Sequence, residues 1–177
     1  MAVDVDISTV HRGSSLVEVV ELGSLHWRDV RAMRLAALHD SPDAFVNTWM
    51  GEWRLPSTHW RSCFTSSTWV AARTGTQFVG IARLAPPERE LPGVPYIESV
   101  WVEPPFRWQG VLRQMIEWLE HRALAVGATE LRLWVLDTNE SAGRAYHKLG
   151  FSDLLIAQNT TKLRADGTFV KERLMSK

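Results

Sequence analysis

One cysteine, Cys63, stands in a chain of 177 residues. That excludes an internal disulfide framework, and no grouping of Cys and His has the spacing of a zinc site, so no metal is expected. Neither sign of charge is in excess, with 20 Lys plus Arg against 20 Asp plus Glu. No basic field draws phosphate backbones or anionic lipid, and neither nucleic acid nor membrane is an expected partner. Long hydrophobic runs are missing as well. No stretch approaches a membrane span, and the first fifteen residues carry Asp4, Asp6, His11 and Arg12 without an apolar run of signal-peptide length. A cytoplasmic protein is the expectation. Gly-x-Gly-x-x-Gly, Walker and Gly-x-Ser-x-Gly patterns are all absent, which argues against a dinucleotide fold, a phosphate loop and a serine nucleophile elbow.

What is present describes a globular domain. The chain is 45% hydrophobic and 23% charged, too apolar for disorder. Its length suits one domain at a prior of roughly 150 residues each. Residues 1–15 read as a fraying segment and 16–177 as the domain. Leu16 to Leu22 suits a first strand, and Val30, Met33, Ala37 and Leu38 recur at helical spacing before the Ser41-Pro42-Asp43 stop. Residues 44 to 56 give no clear period, while Trp60, Cys63 and Phe64 mark a short helix after Pro56. Thr68 to Arg73 and Gln77 to Leu84 form a hairpin around Thr74-Gly75-Thr76. Pro86 to Pro95 is a loop rich in breakers, and Tyr96 to Val102 is another strand.

Beyond Pro104, Leu112, Met115, Leu119 and Ala123 line a long helix closed by Gly127, and Leu131 to Leu136 is a buried strand. Ala142, Ala145, Tyr146 and Leu149 form the stripe of a further helix ended by Gly150, before extended segments at Phe151 to Ile156 and Phe169 to Met175. Strand, helix, strand invites parallel pairing. The fold class is α/β: a mixed, largely antiparallel, twisted sheet of about seven strands flanked by about four helices.

Chemistry concentrates in two stretches. Val102 to Gly110 joins the end of a strand to the first turn of a helix, where unpaired main-chain N–H groups, the helix dipole and Arg107 suit a phosphate or pyrophosphate. On its own this fragment also fits a plain connection with a solvated Arg107. Asn139 opens the later helix, where it is either a cap or a side chain reaching across the gap. Tyr146 points toward the sheet, either as a core residue or as a hydroxyl at the site.

Val102-x-Pro104-x-x-Arg107-x-x-Gly110, followed by Asn139-x-x-Ala142-x-x-x-Tyr146-x-Lys148-Leu149-Gly150-Phe151, resembles the acyl-CoA binding motif and following helix motif of the GNAT superfamily of N-acyltransferases. The order of elements fits from about Leu16 to Met175. The resemblance implies a central parallel strand pair that splays to admit a pantetheine arm. It implies that Arg107, Trp108, Gln109, Gly110, Val111, Leu112 and Arg113 surround the pyrophosphate through main-chain N–H groups. Backbone at Val100, Trp101 and Val102 would pair with the pantetheine, and Asn139, Ala142 and Tyr146 would line its thiol end. Acetyl-CoA is the implied cosubstrate. Two positions depart from the family pattern: Leu112 replaces a usual Gly or Ala, and Trp108 stands where Gly is frequent, which predicts a narrower approach for the pyrophosphate.

The implied activity is direct transfer of an acetyl group to a primary amine of a small molecule or protein terminus. Tyr146 is the family-like general acid and Glu98 the first choice of base, because strand alternation places it on the face of Val100 and Val102. A carboxylate on a solvated edge fits Glu98 equally, and Glu103 is the second candidate. Trp49, Trp53 and Trp60, with Asp43 and Glu52, could wall an acceptor site or simply pack. A noncatalytic module of the same fold that binds acyl-CoA or a protein partner is the alternative, and another nucleotide at the same helix start ranks last. The late strands could pair across a two-fold axis in a homodimer or complete the sheet within one chain.

Overall fold

The computed structural model describes residues 17–87 and 93–177. The expected fraying segment, Leu16 and part of the loop after Pro87 lie outside these residues. Seven strands form one sheet in the order β1-β2-β3-β4-β5-β7-β6. They are β1 (Val17–Leu22), β2 (Thr68–Thr74), β3 (Gln77–Ala85), β4 (Tyr96–Val102), β5 (Arg132–Leu136), β6 (Ser152–Leu163) and β7 (Phe169–Ser176). Every neighbouring pair is antiparallel except β4 and β5, which run parallel at the centre. This is the mixed sheet with a central parallel pair that the sequence predicts.

Among the described residues five α-helices cover it: α1 (Trp27–Asp40), α2 (Trp49–Trp53), α3 (Ser57–Ser62), α4 (Val111–Ala125) and α5 (Glu140–Lys148). The helix missing from the sequence reading is α2, a single turn and a half in the segment without period. Its start is fixed locally by Thr48, whose hydroxyl accepts from the Gly51 N–H at 3.2 Å. The last strands also run further than their apolar cores suggest, because β6 is exposed along most of its length and so carries no alternating burial signal.

The two faces of the sheet bury separate cores. Val111, Met115, Ile116, Leu119 and Ala123 of α4 pack with Tyr146 of α5 against Val70, Ala82, Ile97, Leu133 and Val135. Each Val, Leu, Ile or Met among them contributes about 1.5–3 kcal/mol on burial. On the opposite face Val30, Met33 and Ala37 of α1 and Trp60 of α3 pack against Trp69, Ala71, Ile81 and Trp101. Gly80 of β3 lets α4 settle this closely: a Cβ there would stand 3.2 Å from Met115 Cε and from the Trp101 carbonyl oxygen. The helices thus clamp β4 from both sides and fix the position of the gap beside it.

Candidate active site

The gap follows from a break in β4. Its register against β3 steps from Trp101↔Ile81 to Glu98↔Arg83, so Ser99 and Val100 together span Ala82. Ser99 adopts φ 54°, left-handed backbone that is uncommon for a side-chain-bearing residue. A bulge bends its strand and leaves main-chain groups without ladder partners. The parallel partner stays straight: β4 and β5 share one registered pair, Tyr96↔Arg132, while β5 pairs with β7 along its whole length. Beyond Tyr96 the central strands part, as the resemblance implied, and a cavity of about 590 Å³ opens there.

Of the residues expected at the site, Glu98, Val100, Asn139, Ala142 and Tyr146 line this one cavity. Asn139 caps α5, its Oδ1 accepting from the Ala142 N–H at 3.1 Å. That bond occupies its carbonyl oxygen and orients the rest of the amide. Tyr146 is buried and meets Phe151 edge-on at 5.8 Å between ring centres. Burial away from water pushes its phenol well above the ordinary tyrosine range. The hydroxyl therefore keeps its proton at neutral pH.

The turn before α4 lies outside the cavity lining and has its own geometry. Pro104–Phe106 makes a 3-10 turn, Trp108 has φ 64° and Gly110, with φ 82°, caps α4 without any side-chain hydrogen bond. The N–H groups of Val111, Leu112 and Arg113 in that first turn have no intrahelical partner by helix geometry. Open space surrounds the Cβ direction of Gly110. Of the two bulky residues expected to narrow the approach, Trp108 is 85% exposed and Leu112 packs against the α4 core. Gln109 turns back, its Nε2 donating to the Pro105 carbonyl at 2.6 Å, and Arg113 pairs with Glu117 on the helix surface.

Arg107 differs from its expected use. Its Nε donates to the Val102 carbonyl at 2.9 Å and its Nη2 is ion-paired with Asp40 at the end of α1. Its own N–H donates to the Pro104 carbonyl. The side chain thus ties the turn to β4 and α1. Asp40 also accepts from Ser41 Oγ at 2.6 Å and Trp101 Nε1 at 3.0 Å. Partial burial raises the Asp40 carboxyl, but these hydrogen bonds and the Arg107 charge outweigh it and hold the group below the ordinary carboxylate range.

Glu98 lines the cavity, though not for the reason of strand alternation. The bulge reverses parity, so Glu98 shares its face with Trp101, whereas Val102 faces the α4 core. It accepts from Arg83 Nη1 at 3.2 Å. Glu103 lies elsewhere, accepting from Gln77 Nε2. Of the expected tryptophans Trp60 lines the cavity, with Trp69 and Phe45, while Trp49 and Trp53 stack on each other outside it. Glu52 is buried in a forked ion pair with Arg34 and accepts from Asn47 Nδ2 at 2.8 Å. Asp43 is drawn to Lys162. Arg34, Arg83 and Glu172 enter the cavity without any signal in the sequence: Arg34 is one of three arginines on α1, Glu172 sits between Lys171 and Arg173 on β7, and Arg83 lies on an ordinary strand. Among the described residues no group of three or more Cys, His, Asp and Glu could hold a metal ion, and no helix is long and apolar enough to cross a membrane.

A family model described as the acetyltransferase (GNAT) family matches residues 34–151. A bovine (Bos taurus) thialysine N-epsilon-acetyltransferase is 36% identical over 77 residues, covering 44% of this chain and 45% of that protein. The chain therefore matches slightly under half the length of this curated relative. Among solved structures, a GNAT-family acetyltransferase from Streptococcus pneumoniae superposes with a TM-score of 0.74 at 18% identity, covering 92% of this chain and 99% of the other. A Salmonella typhimurium protein solved with its cofactor acetyl-CoA gives a TM-score of 0.73 at 15% identity, covering 92% and 94%. At such identities these structures speak for the fold.

Proposed function

The chain belongs to the GNAT acetyltransferase family, and from that premise we propose that it moves the acetyl group of acetyl-CoA directly to a primary amine of a small molecule or a protein terminus. The observation that carries this reading is the parting of β4 and β5 beyond Tyr96↔Arg132 into a cavity that holds Tyr146, Asn139 and Glu98 together. The uncapped start of α4 and the open space at Gly110 suit a pyrophosphate. The bulge at Ser99 and the single registered pair between β4 and β5 suit a pantetheine arm, since beyond Tyr96 β4 has main-chain groups without β5 ladder partners.

When bound, acetyl-CoA supplies a thioester carbonyl open to attack and a thiol leaving group. Main-chain N–H groups of residues 108–113 would hold its phosphates, the Arg107 N–H being spent on the Pro104 carbonyl, and those near Val100 to Val102 would meet the oxygen that becomes negative. A single donor of that kind contributes roughly 3 kcal/mol to a transition state. Glu98 takes the proton of the incoming ammonium, directly or through water, with Arg83 keeping its carboxylate in place. Tyr146 holds a proton at its hydroxyl for the departing sulfur. A buried phenol is a weaker acid than an ordinary thiol, whose pKa is about 8.5. Its contribution is thus a hydrogen bond that strengthens as negative charge develops, ahead of complete proton transfer.

Direct transfer agrees with the state of the one thiol in the chain. Cys63 lines the cavity, but burial pushes its thiol up, only partly opposed by Arg83, away from the thiolate a covalent route requires. The test is a pair of measurements: thermal stabilisation by acetyl-CoA, and release of free thiol on adding a primary amine. The proposal expects both. Absence of a melting shift at millimolar acetyl-CoA would remove it, and a shift with no thiol release under any amine would leave a binding module.

A further inference from the structure

The cofactor side and the acceptor side of the site meet at one carboxylate oxygen. Asp40 ends α1, and its Oδ2 accepts from Trp101 Nε1 at 3.0 Å, from Ser41 Oγ at 2.6 Å and from the ion-paired Nη2 of Arg107. Each donor belongs to a different part of the molecule. Trp101 lies in the stretch of β4 whose main-chain N–H groups would meet the thioester oxygen. Arg107 follows the 3-10 turn ahead of α4, and its Nε holds the Val102 carbonyl at 2.9 Å. Ser41 opens the segment between α1 and α2, of which Ala44, Phe45, Val46 and Asn47 line the cavity.

The links on either side of Asp40 are short. The Ser41 N–H donates to the Ala37 carbonyl at 2.9 Å, and the Ser41 carbonyl accepts from the Ala44 N–H at 3.0 Å, so the end of α1 passes straight into the turn Pro42–Ala44. A shift of Asp40 is carried into the acceptor wall within one turn of chain. On the cofactor side the guanidinium has capacity to spare. Arg107 Nη1 makes no hydrogen bond among the described residues, and the side chain is 36% exposed. A diphosphate held by the N–H groups of residues 108–113 brings negative charge next to it. A guanidinium can hold a phosphate oxygen on one nitrogen and a carboxylate on another. Other holds on the acceptor segment, from Lys162 of β6 and from Arg34 over the Phe45 ring, are made without the α4 turn.

We propose that Asp40 is a positioning residue that couples the two substrates: bound CoA pins Arg107 between its phosphate and Asp40, and Asp40 in turn steadies the 41–47 segment that walls the acceptor. This rests on the acetyltransferase reading for what occupies each side. Such coupling is reciprocal. The cofactor prepares the acceptor wall, and an acceptor resting on that wall tightens the cofactor by the same factor.

The test is amide hydrogen exchange on the full chain, with and without CoA, read by mass spectrometry over residues 107–113 and 41–47. In the parent CoA should slow both segments, the second by about fivefold or more. Asp40→Asn keeps the shape of the side chain and loses the charge that holds Arg107. In that variant CoA should still slow 107–113, while its effect on 41–47 disappears. A purely structural role predicts instead faster exchange at 41–47 with and without CoA and the parent's ratio between them, and that result overturns the proposal. Arg107→Lys, which keeps the charge but not the fork, carries the same test should Asp40→Asn fail to fold. A retained ratio there overturns the proposal as well. Slowing of 107–113 in the parent with no change at 41–47 removes the coupling and leaves the acetyltransferase reading standing. Slowing of neither segment removes the cofactor site, and the coupling with it.

Discussion

Two side chains show how burial sets chemistry in this protein. Tyr146 gains its raised pKa from desolvation alone, so replacing its hydroxyl with hydrogen removes a donor and leaves the ring contact with Phe151 in place. Tyr146→Phe should lower kcat by about a hundredfold, with KM for acetyl-CoA little changed and the melting temperature close to that of the parent. An unchanged kcat would strip Tyr146 of its role at the sulfur. Asp40 is the opposite case, a carboxylate whose partners overcome its burial. Its folded pKa lies below the ordinary 3.8, so the stability it contributes is complete above that value and is lost as pH falls through the lower, folded one. Asp40→Asn should therefore cost about 1–2 kcal/mol at pH 7. The deficit against the parent should shrink below about pH 4 in chemical denaturation. A deficit that stays constant down to pH 2 would show that the carboxylate charge is not what Ser41, Trp101 and Arg107 recognise.

The start of α4 is where a single backbone conformation shapes an element. Gly110 holds φ 82° with nothing near its Cβ direction, so alanine there meets no clash and pays only for left-handed backbone, about 1–2 kcal/mol. Gly110→Ala should lower the melting temperature by about 2–8 °C and weaken acetyl-CoA binding in the same titration. Melting with the parent would mean that the turn relaxes to another conformation. This glycine was legible because a strand, a short turn and an amphipathic helix surround it in sequence. The bulge at Ser99 was not, since serine there carries no signal for φ 54°. That one irregularity reverses the face on which Glu98 lies. Strand alternation puts Glu98 on the face of Val100 and Val102, whereas the bulge puts it on the face of Trp101, and the cavity takes in both Glu98 and Val100. Arg107 was legible as a residue of the turn, but its partner Asp40 lies 67 positions away, and pairing at that distance is decided by how α1 packs.

Across the whole molecule, the acceptor cavity depends on segments that meet only when the sheet is complete. Its helical side comes from residues 34–63, ahead of β2, and its far wall from Glu172 in β7. One side chain joins the two. Lys162, near the end of β6, directs Nζ to the Pro42 carbonyl at 2.8 Å, Asp43 Oδ1 at 3.2 Å and the Phe45 carbonyl at 3.4 Å. Phe45 itself lies under the Arg34 guanidinium, 4.5 Å from ring centre to Cζ. A contact made by a partly exposed ammonium with main-chain oxygens is modest in stability, about 0.5–1.5 kcal/mol, yet it ties β6 to the segment that brings Ala44 to Asn47 into the cavity lining. Its loss should be felt in acceptor binding before it is felt in melting. Lys162→Met, which keeps the length of the stem, should raise KM for the acceptor several-fold and speed amide hydrogen exchange around residues 42–47. The thermal shift given by acetyl-CoA should be little changed, because the contacts of Lys162 are with residues 42–45 and not with the α4 turn itself. Equal KM and equal exchange in the variant would mean that the loop is held by Phe45 and the Arg34–Glu52 pair alone, and that the β6–β7 hairpin contributes Glu172 to the cavity without closing it.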